Sequence, residues 1–500
     1  MRRRTFLGSA GALAAQTSRP NVLFLMTDQQ RYDTLGANGN KLVRTPHLDR
    51  LAAESANFSR CYAQAPVCVP SRVSWFTGRY PHSHRNRVNY TPLDEREPLL
   101  QRYLKDAGYR TGSVGKLHYW PPTAAHARST GFDEVLLHDG VAKLDGESDY
   151  AKWRGANDPS KAPFRSVASN GAGNNPYRAR VEDRFHETTW TGNETRRLLR
   201  RFAAGGQPFF LHASFFQPHS PFYASPPFDS MYDDVEFPLP RPAAREYIDA
   251  LPRPLRTLIL RGTPQYDMDR ARLQWALRTY HANIAHIDRE VGAILRALDE
   301  TGQGANTIVV FSTDHGDQLL EHGLMGKNCF FEDSIRLPLL VRCPGQARPG
   351  RYDQLVEQVD LAPALLEWCG VAVPDRVQGR SFAPLLRGEP YETRDAVFSE
   401  NIIPEVITGG SLDFEFAKGK GVKGVRHPDA KMVRTGEWKL VVYAGGEGEL
   451  YDLTRDPGEW NNLYQSAAHR DVVAGLKSRI LEWLMTADET DQIAPRWRLQ

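Results

Sequence analysis

Residues 21–28, NVLFLMTD, decide the fold: five consecutive apolar residues, Val22 to Met26, run into Thr27 and stop at an acid, Asp28. Residues 306–317, NTIVVFSTDHGD, repeat the plan and stop at Asp314-His315. A strand with one wet face alternates apolar and polar residues. One that is apolar throughout is covered on both faces, as in the mostly parallel sheets of α/β proteins. In such sheets ligands gather beyond the carboxyl ends of the strands. Asp28-Gln29 and Asp314-His315, far apart in sequence, are therefore expected at one edge.

Working outward, TPHLDRLAAES (45–55) has helical spacing. LLQRYLKDAGYRTGSVGK (99–116) reads as helix, glycine turn and strand, and ETRRLLRRFAAGG (194–206) as a helix before the strand PFFLHASFF. Residues 268–301 form a long amphipathic pattern, LPLLVRCPG is another buried strand, and LVEQVDLAPALLEWCG (355–370) reads as one helix. Strands alternating with helices predict α/β layers. The expected class is a large mixed or mostly parallel sheet sandwiched by helices over 17–375. After about 375 short alternating segments with Gly and Asp-Pro-Gly turns predict antiparallel hairpins. Residues 376–500 are thus expected to form a smaller C-terminal α+β domain, closed by a helix over 470–486.

The 500 residues carry a net charge of +3 from 63 basic and 60 acidic side chains, which gives no electrostatic case for nucleic acid. RRRTFLGSAGALAA (2–15) has a basic start, a short weakly apolar run and a small-residue close, so residues 1–16 read as an export signal of twin-arginine type. That places the protein in the periplasm or outside a bacterial cell. No segment is long and apolar enough to span a bilayer. The five cysteines, 61, 68, 329, 343 and 369, are odd in number and lack Cys-x-x-Cys spacing. Cys61 and Cys68 could pair, but nothing local demands it.

The two acidic tips supply two carboxylates, an amide oxygen and an imidazole. Such a set suits a hard divalent cation, and the imidazole leaves Mn²⁺ open and Zn²⁺ less so; Ca²⁺ is expected, with Mn²⁺ or Mg²⁺ as alternatives. A single strand-end Asp is ordinarily a cap. Two such dipeptides on one edge favour a metal.

Residues 67–79, VCVPSRVSWFTGR, set Cys68 beside Pro70, Ser71 and Arg72. Cys68-x-Pro70-x-Arg72, continued by Thr77-Gly78-Arg79, resembles the signature of the sulfatase family, formylglycine-dependent enzymes of the alkaline phosphatase superfamily. Further segments match in family order: RPNVLFLMTD before Gln29, GYRTGSVGKLH (108–118), FFQPHSPF around His219, TDHGDQLLEHGLMGK (313–327) and LYDLTRDPGEWNNL (450–463). The likeness covers about 20–465.

The resemblance implies that Cys68 is oxidised to formylglycine (3-oxoalanine) by a formylglycine-generating enzyme. One hydroxyl of the hydrated aldehyde attacks the sulfur of a sulfate monoester, and the other later expels sulfate by re-forming the carbonyl. It further implies that Asp28, Gln29, Asp314, His315 and the modified Cys68 hold the cation. Arg72 orients the diol, Lys116 and Lys327 neutralise sulfate oxygens, His118 takes a proton, and His219 assists the leaving oxygen. Taken singly, each Lys or His is more often a satisfied side chain; their joint order carries the reading.

Asp28-Gln29 and Asp314-His315 depart from the frequent Asp-Asp and Asp-Asn tips. Such pairs also occur in branches that cleave phosphonate monoesters and phosphodiesters. The expected activity is hydrolysis of an aryl, choline or carbohydrate sulfate, the alternative is that phosphorus chemistry, and a non-catalytic sulfated-glycan-binding relative ranks below both. Specificity is expected in 85–100, 120–180, 220–265 and 403–430.

Overall fold

The computed structural model describes residues 19–89, 91–94, 96–140, 148–160, 178–179, 181–261, 268–402 and 429–487. The expected export signal lies outside them, as do 161–177 of the middle polar stretch and 403–428 of the later one.

The large sheet contains β1 (Asn21–Thr27), β2 (Ala56–Tyr62), β3 (Arg110–Gly115), β4 (Glu134–Leu137), β5 (Phe209–Ser214), β6 (Thr307–Thr313), β7 (Arg336–Arg342), β8 (Gly350–Tyr352) and β9 (Val356–Glu357). Its order is β4-β3-β5-β1-β6-β7-β2-β8, with β9 also on β2. β1 pairs in parallel with both β5 and β6, and β3 in parallel with β4 and β5. Among the described strands of this sheet, only β7 runs against its neighbours, antiparallel to β6 and β2.

β1 is buried along its whole length. Val22, Phe24 and Met26 enter one core with Trp75, Phe76 and Leu365. Leu23 and Leu25 enter the opposite core with Leu198, Ile287 and Val291, from the helices Glu187–Ala204 and Arg270–Glu300. Alternate side chains of one strand thus feed both cores, the reason for the unbroken apolar run. Each fully buried side chain of this size contributes about 1.5–3 kcal/mol. The strand carrying Asp28 is therefore rigidly held.

One expectation needs correction. The stretch 355–370 is not a single helix: β9 comes first, then a 3-10 turn Gln358–Asp360, and the helix begins at Leu361. Glu357 and Asp360 form a reciprocal capping box, and Asp360 also takes the Arg380 amide and the Arg394 guanidinium. Those bonds fix the start of the helix.

The second sheet is antiparallel, in the order β10 (Ala396–Ile402), β11 (Asp429–Thr435), β12 (Trp438–Tyr443) and β13 (Gly448–Asp452). The helix Arg470–Thr486 lays Val473, Leu476, Ile480 and Trp483 on Val433, Leu440 and Leu450. Between the sheets, Phe382, Ala383 and Leu386 join the large core. Among the described residues, no helix is long and apolar enough to cross a membrane.

Candidate active site

Parallel register places Thr27 beside Thr313, so Asp28 and Asp314 leave the sheet side by side. Gly115 ends β3 opposite Ser214, and the Lys116 amide donates to the Ser214 carbonyl at 3.0 Å. Gly115 has φ +93°, and a Cβ there would sit 1.9 Å from that carbonyl oxygen. Only glycine lets β3 approach β5 closely enough to deliver Lys116 to this edge.

β2 leads to the buried helix Cys68–Thr77, which starts at Cys68 and is closed by Gly78 in the left-handed conformation. Pro70 sits in the first turn, where a missing N–H costs nothing. The helix N-terminus, with its partial positive charge, thus carries Cys68 to the strand ends. Lys327 Nζ donates to Cys68 Sγ at 2.7 Å, and His315 Nε2 lies 3.3 Å from the same sulfur. Burial pushes the thiol up, but Lys327, Lys116 and His315 outweigh it and hold it well below the usual thiol range. The position is built for negative charge.

Arg72, one turn along the helix, is 1% exposed. Its Nε donates to Asp314 Oδ2 at 2.8 Å and its Nη2 to Asp28 Oδ2 at 3.0 Å. Nη1 serves the Lys116 carbonyl and Ser214 Oγ. One planar fork ties together four strand ends. Lys116 Nζ reaches the same Asp28 oxygen at 2.6 Å and lies 4.9 Å from the centre of the Phe216 ring. Burial and Cys68 push the Asp28 carboxyl up, yet Lys116, His219 and Arg72 hold it far below the usual range.

Asp28, Cys68, Asp314 and His315 each offer a ligand atom, and these atoms lie within 4.8 Å of one another, all buried. Asp28 Oδ1 and Gln29 Oε1 are buried and accept no hydrogen bond among the described residues. Unpartnered buried oxygens are costly. Asp28 stands with an imidazole and a second carboxylate, and Gln29 follows it directly, a set that fits a divalent cation.

His118 has φ +59°, and its amide and that of Leu117 donate to Asp139 Oδ1 at 2.9 and 2.8 Å. Its side chain takes part in lowering the Cys68 thiol. The half-buried His219 donates from Nδ1 to the Ser220 carbonyl, which leaves Nε2 as its acceptor. Burial, together with Lys327 and Lys116, moves this imidazole below its ordinary pKa. Every residue assigned to the site from sequence thus lies in or against one buried cluster.

Sequence reading missed the supports. Ser214, Asp139 and Asp317 bond Arg72, the Lys116–His118 turn and Gln29 respectively. Asp317 could have been noticed as the last acid of TDHGD; nothing in sequence marks Asp139. His84 bonds Ser74 at 3.0 Å and His82 bonds Glu400, so both brace the loop after the helix. All five thiols are free, and Cys61 is buried in the large core rather than paired with Cys68.

Residues 20–371 match the family model described as sulfatase, and 320–486 that described as N-sulphoglucosamine sulphohydrolase, C-terminal. The chain is 29% identical to an arylsulfatase of Clostridium perfringens (strain 13 / Type A), over 94% of this chain and 95% of that one. It is 29% identical to the multifunctional alkaline phosphatase superfamily protein PehA of Trinickia caryophylli, over 95% and 97%. Among solved structures, the phosphonate monoester hydrolase SpPMH of Silicibacter pomeroyi superposes with a TM-score of 0.81 at 27% identity, over 94% and 96% of the two chains.

Proposed function

The chain belongs to the sulfatase family of the alkaline phosphatase superfamily, and on that premise we propose that it is an exported sulfuric ester hydrolase acting on an aryl, choline or carbohydrate sulfate. Its nucleophile is Cys68 after conversion to formylglycine by a formylglycine-generating enzyme. The periplasm, or the medium outside, is its place of action, from the leader in 1–16.

One observation carries the reading. The side chain of residue 68 sits at a helix N-terminus, 2.7 Å from Lys327 Nζ, in one buried cluster with Asp28, Asp314 and His315, where Asp28 Oδ1 has no partner among the described residues. That position stabilises an anionic oxygen as well as it stabilises a thiolate.

Asp28, Gln29, Asp314 and His315 would hold the cation, Ca²⁺ by the count of oxygens or Mn²⁺ by the imidazole. When bound, it supplies a lowered pKa to a hydroxyl on residue 68 and draws charge from the sulfuryl oxygens. Arg72, locked by four bonds, fixes the two carboxylates and the helix at one spacing. Lys116 and Lys327 add fixed positive charge for the sulfuryl oxygens, an electrostatic aid that needs no rearrangement. His118 is the base for the remaining hydroxyl proton. His219 faces the leaving oxygen through Nε2, which donates only once protonated, since Nδ1 is committed to Ser220.

A second reading, hydrolysis of phosphonate monoesters or phosphodiesters, is favoured by Gln29 and His315, which stand where the frequent tips carry Asp and Asn. The name of SpPMH points the same way. A non-catalytic glycan-binding role fits poorly with an intact Cys68, Arg72 and both tips. Steady-state turnover of an aryl sulfate against an aryl phosphonate separates the two chemistries. A larger kcat/KM for the sulfate is expected; no sulfate turnover on aryl, choline or sugar esters would overturn the first reading.

A further inference from the structure

The two ends of the Gln29 amide meet different surroundings. Gln29 leaves β1 with φ +65°, a strained conformation for a residue with a side chain. Its Nε2 donates to Asp317 Oδ2, its backbone amide donates to Asp314 Oδ1 at 3.0 Å, and its Oε1, like Asp28 Oδ1, is buried without a partner among the described residues. Asp317 is fully buried. Its other oxygen accepts the amides of Leu319 at 2.7 Å and Gly326 at 3.1 Å. The Gln318 amide closes the same loop on the Gly326 carbonyl at 2.7 Å. Lys327 follows immediately, with Nζ on Cys68.

We propose that Asp317 is a positioning residue: its carboxylate captures the Gln29 amide nitrogen, so that the amide oxygen faces the cation, and the same group pins the loop that delivers Lys327. The chemistry is one of exclusion. An ionised carboxylate only accepts hydrogen bonds, so the amide cannot turn its oxygen toward Asp317. A cation tolerates only the oxygen. A carboxylate behind the amide therefore gives both ends of Gln29 a single orientation. Partners of this kind behind metal ligands set affinity over about 10–100-fold.

This inference rests on the metal reading, and the test separates the two. Ca²⁺ and Mn²⁺ are titrated calorimetrically into the metal-free full-length protein, its Asp317→Asn variant, and the double variant Gln29→Glu with Asp317→Asn. Asn at 317 keeps an oxygen for the Leu319 and Gly326 amides but presents an NH₂ to Gln29, which turns the wrong end of the amide to the ion. Affinity should fall about 10–100-fold. In the double variant a carboxylate at 29 accepts from that NH₂ and still offers an oxygen, so affinity should return to within about tenfold of the original. A purely structural Asp317 predicts no such recovery. Unchanged affinity in Asp317→Asn, or no recovery in the double variant, overturns the proposal. No binding by the unsubstituted protein overturns the metal reading itself and this inference with it. If Asp317→Asn fails to fold, a crystal structure of the cation-loaded parent decides. Gln29 Oε1 on the ion with Nε2 on Asp317 is expected; Asp317 on the ion, or Gln29 turned away, overturns it.

Discussion

Lys327 Nζ donates to Cys68 Sγ across 2.7 Å, although 259 positions separate the two residues. The contact exists because the loop after β6 and the helix after β2 meet at the carboxyl edge of the sheet. Burial opposes a charged lysine, but Cys68, Asp28 and Asp314 raise its pKa above the ordinary value. Lys327 is therefore a fixed cation against the side chain proposed as the nucleophile. Lys327→Ala should keep its circular dichroism spectrum and lose about 10²–10³-fold in kcat.

Arg72 bridges Asp28 and Asp314 with one guanidinium. Arg72→Met leaves two buried carboxylates facing each other. Urea unfolding of the metal-free protein should show a loss of roughly 3–5 kcal/mol. Adding a divalent cation should recover part of that loss, because it neutralises the same two groups. A variant as stable as the parent without metal would speak against the ion-pair role.

Gly115 is a backbone requirement with a catalytic consequence. An added Cβ collides with the Ser214 carbonyl in a conformation that already disfavours side chains. Gly115→Ala should cost about 1–3 kcal/mol in stability. It should also cost about 10²-fold in kcat, because Lys116 shifts with the strand end. The two are read by thermal unfolding and by steady-state kinetics.

Glu400 on β10 accepts from the His82 amide and imidazole at 2.8 and 2.6 Å, and from Lys431 Nζ at 2.7 Å, with Arg87 at 3.4 Å. Burial pushes its carboxyl up, but these partners bring it down to about 2. Its folded pKa is thus below the ordinary 4.5. The stability it contributes is present above that pH and is lost as pH falls toward 2. Glu400→Gln should lower stability by roughly 3 kcal/mol at neutral pH and flatten the stability curve over this acidic window. Urea midpoints at several pH values check both effects.

What was legible in sequence follows from the physics of burial. The runs at 21–28 and 306–317 announced strands covered on both faces, and the acids at their ends announced one edge. β7 was seen as a strand, but an apolar run carries no direction, and its antiparallel course after the connection 314–335 is seen only in its pairing with β6 and β2. The segment 355–370 misled because a two-residue strand against β2 and a capping box interrupt a helical apolar period. Asp139 and Asp317 stayed hidden for another reason: they act through backbone amides and a single side chain, contacts that only the folded chain creates.

The central claim is that residue 68 carries an aldehyde in the active protein. Mass spectrometry of the tryptic peptide 61–72 from enzyme purified with measurable sulfate-ester turnover tests it most directly. A mass about 18 Da below that of the cysteine peptide is expected. An unmodified thiol peptide, from material that nonetheless turns over sulfate esters, would contradict it.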